Sequence, residues 1–365
     1  MSLREIANRA KVSIATVSRT INGVSTVRPS FARRVQKAID EVGYYPNTHA
    51  RALVSGRSRI FGLMVSEITN PFFPEIVQTF EDLGFEHKYE ILLSSITKNP
   101  ERLEMAARRM IERRVDGVAV LTFGDEEALV EAFRRHKVPV IVVDMDSSEP
   151  LLKTLCIDYR NGIRQAVQHL AALGHTGIAF VSGPTRLKTA LARRRAFQEC
   201  MSEIGLKVSP EFLIEGDHTM EAGTKAMAAL AATPVRPSAV ICSNDMTAIG
   251  VMRQAFELAL EIPRDLSVVG FDDTHFAQFS TPPLTTIRMS QEEIARMAFR
   301  GLLDFVETQR SRTSREVGTI KTELVLRRST GIAPGRLRKI NLERSRRRSA
   351  VQGTPQLGLQ SIFRT

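Results

Sequence analysis

From Ile60 onward, short apolar runs alternate with longer stretches of helical periodicity, and few folds accept that pattern. The runs are Ile60 to Val65, Glu90 to Ser94, Gly117 to Leu121, Val138 to Val143, Gly177 to Val181, Ala239 to Ser243 and Leu266 to Phe271. Most are apolar at successive positions rather than at alternate ones, as expected of strands covered on both faces. Such strands belong to parallel sheets whose crossover helices lie above and below them. About 100 to 130 residues stand on each side of residue 158, a length that predicts two α/β lobes. No internal repeat is strong enough to show a duplication.

The chain of 365 residues exceeds what one ordinary core holds, so two or three domains are expected. No apolar run reaches the roughly 18 residues of a membrane span, and Met1 to Glu5 lack the apolar stretch of a signal peptide, which predicts a cytoplasmic protein without membrane contact. Cys156, Cys200 and Cys242 are odd in number and have no ligand-like spacing, so they read as reduced core thiols. Net charge is +11, unevenly spread: residues 1 to 59 hold 11 Lys and Arg against 3 Asp and Glu, and residues 331 to 365 hold 8 against 1. A basic head on a mildly acidic body suits a polyanion partner, although a merely solvated basic surface has the same charge.

Leu3, Ile6, Ala7 and Ala10 recur at helical spacing, and Ser13 is a good N-cap for a second helix from Ile14 to Ile21. Asn22 and Gly23 end that helix, and Pro29 and Ser30 open a third, closed by Gly43. Three short helices with basic outer positions fit a helix-turn-helix module.

These residues, with Ala15 to Arg19, Asn22 and Gly43-Tyr44-Tyr45-Pro46-Asn47, resemble the head of the LacI/GalR family nearly position for position. The resemblance implies that the second helix enters the major groove of operator DNA. Arg19 would then meet guanine, Ile14 and Ala15 would offer apolar contact such as to a thymine methyl, and Ser13, Thr16, Ser18 and Asn22 would meet phosphates. Local capping is the other reading of Thr16 and Ser18. The segment from Asn47 to Gly56 is too short for a stable free helix. Its match at Ala50, Arg51 and Leu53 implies a hinge helix, paired in a homodimer over the minor groove, with Leu53 wedged between base pairs and Asn47, Ala50 and Arg51 also at the DNA.

The resemblance covers about residues 2 to 332. It implies a helix-turn-helix head over 1–45, a hinge over 46–59, and a periplasmic-binding-protein type I body over 60–332; beyond it, Arg-rich composition without leucine heptads predicts a basic, disordered tail over 333–365. The body's lobes interleave, one holding about 60–157 and 288–319, the other about 158–287 and 320–332. Ligands of open α/β sheets sit at the carboxyl ends of strands; Asp144 and Asn161 are candidates by that placement, and the family's effector contacts fall on Asn70, Phe72, Phe73, Arg193, Asn244 and Asp272. One of the two phenylalanines is expected in the core, and Asp144, Asp146, Asp158 and Asn161 equally suit helix capping. His218 departs from the family, because lactose- and purine-type members carry a large aromatic there; it is either a polar contact or a structural histidine.

No nucleophile, base, phosphate loop or metal-ligand spacing stands out, so the sequence predicts a regulator with no cofactor and no metal, and not an enzyme. Its implied partners are an operator, a second copy of the chain, and a small effector, a monosaccharide or sugar acid. The alternatives are an effector that is a non-sugar metabolite or a partner protein, and a sugar-binding protein for transport.

Overall fold

The computed structural model describes residues 2–21, 26–43, 57–96, 100–122, 127–145, 149–307 and 316–335. The head consists of α1 (Leu3–Ala10), α2 (Ile14–Ile21) and α3 (Pro29–Val42). Its core is small and self-contained, with Ile6, Ala7, Ala10, Val17, Val35 and Ala38 buried together. Left-handed Lys11 and Gly43 terminate α1 and α3. Asn22, Asn47, Ala50, Arg51 and Leu53, and with them the expected hinge helix, lie outside the described residues, as do Asp146 and most of the tail.

Two six-stranded sheets form the body. The first has the order β11-β5-β4-β3-β1-β2 and comprises β1 (Ile60–Val65), β2 (Glu90–Ser95), β3 (Gly117–Leu121), β4 (Val140–Val143), β5 (Leu152–Asp158) and β11 (Glu316–Lys321). All its pairings are parallel. The second has the order β12-β10-β9-β8-β6-β7, with β6 (Ile178–Ser182), β7 (Leu213–Glu215), β8 (Ala239–Cys242), β9 (Ser267–Asp272), β10 (Thr285–Arg288) and β12 (Glu323–Val325). It is parallel except where β12 runs against β10. Helices α4 (Phe72–His87), α5 (Pro100–Glu112) and α6 (Glu127–Arg135) connect strands of the first lobe. In the second lobe α7 (Tyr159–Ala172), α8 (Lys188–Glu203), α9 (Met220–Ala231), α10 (Asp245–Glu257) and the short α11 (His275–Phe279) do so. The long α12 (Gln291–Glu307) returns to lobe 1 and packs against α4.

All seven expected strands exist, with ends shifted by up to two residues. Val138 to Val143 begins only at Val140, because Pro139 offers a carbonyl to Val118 N but has no N–H for the ladder. Strands β5, β7, β10, β11 and β12 had no clear apolar run.

The chain passes between lobes three times, and the passages touch. Asn161 Nδ2 donates to Thr322 O (2.8 Å), and Gly162 N donates to Thr322 Oγ1 (2.9 Å). A Cβ on Gly162 would lie 2.3 Å from Ile287 Cγ2, so the second passage presses on the first. In lobe 2, α9 and α10 cross backbone to backbone: a Cβ on Gly250 would be 2.0 Å from Met220 O, and one on Gly223 would be 2.1 Å from Thr247 O. Buried His175 bonds Ser238 Oγ (2.8 Å), Gly331 O (2.9 Å) and Ser267 Oγ (3.0 Å), fastening the end of the described chain to this lobe.

Candidate functional site

Helix α2 presents one apolar and one polar face. Val17 is fully buried, whereas Ile14, Ala15 and Arg19 point outward, with Ile14 44% exposed. Arg19 has no hydrogen-bond or ion-pair partner among the described residues, so its guanidinium fork is available to a base edge. Ser13 Oγ accepts from Thr16 N (3.1 Å) and lies 2.9 Å from Thr16 Oγ1. Ser13 therefore caps α2 in the free protein, with the Thr16 hydroxyl bonded to it, and both would have to share those bonds with any phosphate. Ser18 is half-buried on the same helix.

The second site centres on Arg193, a cation on α8 that is only 6% exposed. Nη1 donates to Ser243 O (2.6 Å) and lies 4.0 Å from Asp272 Oδ1, while the guanidinium carbon sits 4.3 Å from the Phe271 ring centroid and 5.0 Å from that of Tyr159. Buried Nε has no hydrogen-bond partner among the described residues. The two rings are tilted 44° to each other with centroids 6.2 Å apart, so they border the guanidinium on adjacent sides, and the leftover donor suits an oxygen acceptor. Burial holds the Asp272 carboxyl well above its ordinary range, with Arg193 pulling the other way and Asp245 adding to the rise. Asp272 also has φ 106, and its carbonyl accepts from Gln291 Nε2 (2.9 Å), at the end of β9. The Tyr159 phenol is likewise raised, first by burial and then by Asp144, against Arg193.

Asp144 comes from the other lobe, at the end of β4 with φ 49, and its Oδ1 accepts from Ile157 N (2.9 Å). Asp144, Tyr159, Arg193 and Asp272 thus form one charged and aromatic cluster. The other sequence-named residues are held in the fold. Asn70 Oδ1 accepts from Phe72 N (3.1 Å) at the start of α4. Phe72 and Phe73 meet edge to face at 5.3 Å, and both belong to the buried cluster that includes Tyr159 and Phe271. Asn161 ties two lobe passages, and Asn244 caps α10 through Thr247 N (2.9 Å) while its amide donates to the His218 carbonyl (3.0 Å). His218 Nδ1 lies 3.2 Å from Ser243 Oγ, and its ring covers Gly183, where a Cβ would fall 2.0 Å from Nε2. The ring takes the space in which a side chain on residue 183 would stand. At the edge of the two lobes, Lys188 Nζ and Glu127 Oε1 pair at 2.8 Å. Tyr159, Phe271 and Ser243 escaped the sequence reading, although each directly adjoins a residue that it named.

Behind the cluster, fully buried Asp245 accepts from Thr274 N (2.7 Å), Thr274 Oγ1 (3.0 Å) and Thr286 Oγ1 (2.5 Å). Burial outweighs these donors and pushes its carboxyl up to about 7. An acid raised on folding holds its proton in the native state after the unfolded chain has released it. The stability it lends is therefore full below the ordinary carboxylate range and falls as pH climbs towards 7. Asp245→Asn keeps an acceptor and cannot ionise. In chemical denaturation between pH 4 and 8 it should lose stability less steeply than the wild type; an unchanged slope would mean that Asp245 is ionised throughout.

A three-helix DNA-binding head joined to a two-lobed parallel α/β body defines a transcriptional regulator. A model of bacterial regulatory proteins of the lacI family matches residues 2–47, and one of the periplasmic binding protein-like domain matches residues 167–330. The chain is 33% identical to the HTH-type transcriptional repressor CytR of Escherichia coli over 91% of its own length and 97% of that protein. It is 31% identical to catabolite control protein A of Priestia megaterium, over 85% and 93%. Among solved structures, a lac repressor dimer bound to operator and an anti-inducer superposes with a TM-score of 0.81 at 26% identity, covering 91% of this chain and 99% of that one. The chain belongs to the LacI family: it is a DNA-binding transcriptional repressor and not an enzyme. No helix among the described residues is long and apolar enough to cross a membrane, and no group of three His, Cys, Asp or Glu there could hold a metal.

Proposed function

We propose that this repressor binds a two-fold symmetric operator as a homodimer and that a small polyhydroxylated effector, a sugar or sugar acid, sets its affinity from the cleft between the lobes. The observation that carries the reading is the buried Arg193 fork, bordered by Tyr159 and Phe271, with an unused Nε–H and with Nη1 near Asp272, donors and acceptors fixed in the way that distinguishes hydroxyl positions. Solved relatives include a regulator bound to cellobiose and one bound to ribose. On this reading the head spans 1–45, the hinge 46–59 and the sensing body 60–332, with Leu53 as the DNA wedge and Asn47, Ala50 and Arg51 beside it. Asn70, Phe72, Phe73, Asn161, His218 and Asn244 shape the cleft, chiefly through the fold bonds described above. A thermal-shift panel of sugars, sugar acids and nucleosides tests the effector class, because a ligand specific to the folded body stabilises it by mass action. If only nucleosides raise Tm, the sugar assignment fails.

Arg19→Ala should cost about 1–3 kcal/mol at one base pair of each half-site and relax the preference there. Binding competitions against operators varied at single positions read this directly. A uniform loss across all sequences would make Arg19 a phosphate contact instead.

A further inference from the structure

At the N-terminal ends of its strands, away from the cleft, lobe 1 holds a concavity of about 440 Å³. Its floor includes Val115, Val138 and Phe305, and its walls carry Arg57, Arg114, His136 and Lys137. Arg114 and Lys137 follow the ends of α5 and α6 in left-handed turns, φ 53 and φ 56, and both side chains are exposed. Among the described residues neither they nor His136 has an ion-pair or side-chain hydrogen-bond partner. The one carboxylate in the lining is already committed: Asp116 Oδ1 accepts from Ser58 N (2.8 Å) and Ser58 Oγ (3.0 Å), and Oδ2 from Arg59 N (3.1 Å). Arg57 in turn reaches across to the Val306 carbonyl at the end of α12.

We propose that this concavity is a second ligand site, for a small organic phosphate. The unneutralised cations suit a dianion, and the apolar floor suits the ring or chain that carries it. The volume lies within the few hundred Å³ typical of metabolite pockets. Cations after helix ends also answer the helix dipoles, but that role requires neither a shared concavity nor Arg57 on its wall. The site has a direct line to regulation: Arg57, Ser58 and Arg59 are where the chain from the head enters the body, and a phosphate held there grips that segment. DNA phosphate is the rival source of the same chemistry.

The test uses the full-length protein in calorimetry with glucose 6-phosphate and adenosine 5′-monophosphate, each against glucose, adenosine and inorganic phosphate. At least one ester is expected to bind saturably where its dephosphorylated form and inorganic phosphate do not. The double variant Arg114→Ala/Lys137→Ala should weaken that binding by about tenfold or more, with unchanged thermal stability because both side chains are exposed. Arg193→Ala should leave it intact. The proposal is overturned if neither ester binds, if inorganic phosphate alone reproduces the affinity, or if Arg193→Ala abolishes binding that the basal variant retains. It is equally overturned if the basal variant keeps ester binding and only flattens the salt dependence of DNA binding, which would assign these cations to DNA.

Discussion

Arg193→Ala is expected to abolish the change in operator affinity that effector produces, while leaving operator affinity without effector near that of the wild type. The side chain lies on α8 of the body, whereas Arg19 and its helix belong to a head with its own core. What alanine removes is the fork lying against Phe271 and Tyr159 and bonded to the Ser243 carbonyl. Hydrogen bonds from a charged donor contribute about 1.5–3 kcal/mol each, so effector affinity should fall by roughly ten- to a hundredfold or more. Lysine is no rescue, since an ammonium neither stacks as a plane nor forks. The variant has a second signature. Without the guanidinium, the Asp272 carboxyl loses the one influence that lowers it and is pushed further up. A carboxyl with a raised folded value supports the fold below the ordinary carboxylate range and costs stability as pH rises. Arg193→Ala should therefore go on losing stability with rising pH beyond the point at which the wild type levels off. Operator gel shifts across an effector titration, paired with denaturation across a pH series, check the two claims; an effector response at the wild-type concentration removes Arg193 from the site.

Gly250→Val should be the most damaging small substitution in lobe 2. The Cβ alone would stand 2.0 Å from the Met220 carbonyl oxygen, a backbone atom with no rotamer to give way, and Thr224 Oγ1 also lies 3.3 Å from Gly250 O across the same contact. Helices α9 and α10 would have to separate, opening the packing among Ala226, Met227, Leu230, Ala248 and Val251. Overpacking at a well-filled contact costs typically about 1–3 kcal/mol, and here the upper end or more is expected because no side chain can absorb it. Calorimetry should show the body's Tm falling by roughly 5–10 °C. The head should be untouched by the same measure, and a variant with wild-type Tm would mean that the helices are farther apart than they stand here.

The sequence displayed the strands that run through the middle of each sheet and the edge strand β2, and concealed the other strands at or near the margins. Ile60–Val65 and Gly117–Leu121 are flanked by neighbours on both sides and covered above and below, so every position is apolar. Strand β5 carries Lys153 and Thr154 among its buried positions; the lysine reaches Asp304 at 3.7 Å and lies over the Phe305 ring at 4.7 Å, contacts that only tertiary structure supplies. Three-residue β7 and β12 are too short to show any period. Of the Arg193 cluster, Arg193 and Asp272 were legible as single residues through family resemblance, but the chemistry around them was not. That Arg193 lies against both Tyr159 and Phe271, or that Asn161 and Asn244 are occupied by bonds within the fold, depends on which strand ends meet. No local spacing encodes that.

The three adjoining passages between lobes also govern the order in which the protein can come into being. Lobe 1 takes α12 and β11 from after residue 290, and lobe 2 takes β12 from residues 323–325. A chain emerging from the ribosome N-terminus first can close the compact core of the head within its first 43 residues, yet it can complete neither sheet until almost the whole body has been made. Translation that stops in the stretch before β11 would leave a head able to fold, attached to two unfinished sheets with open edges.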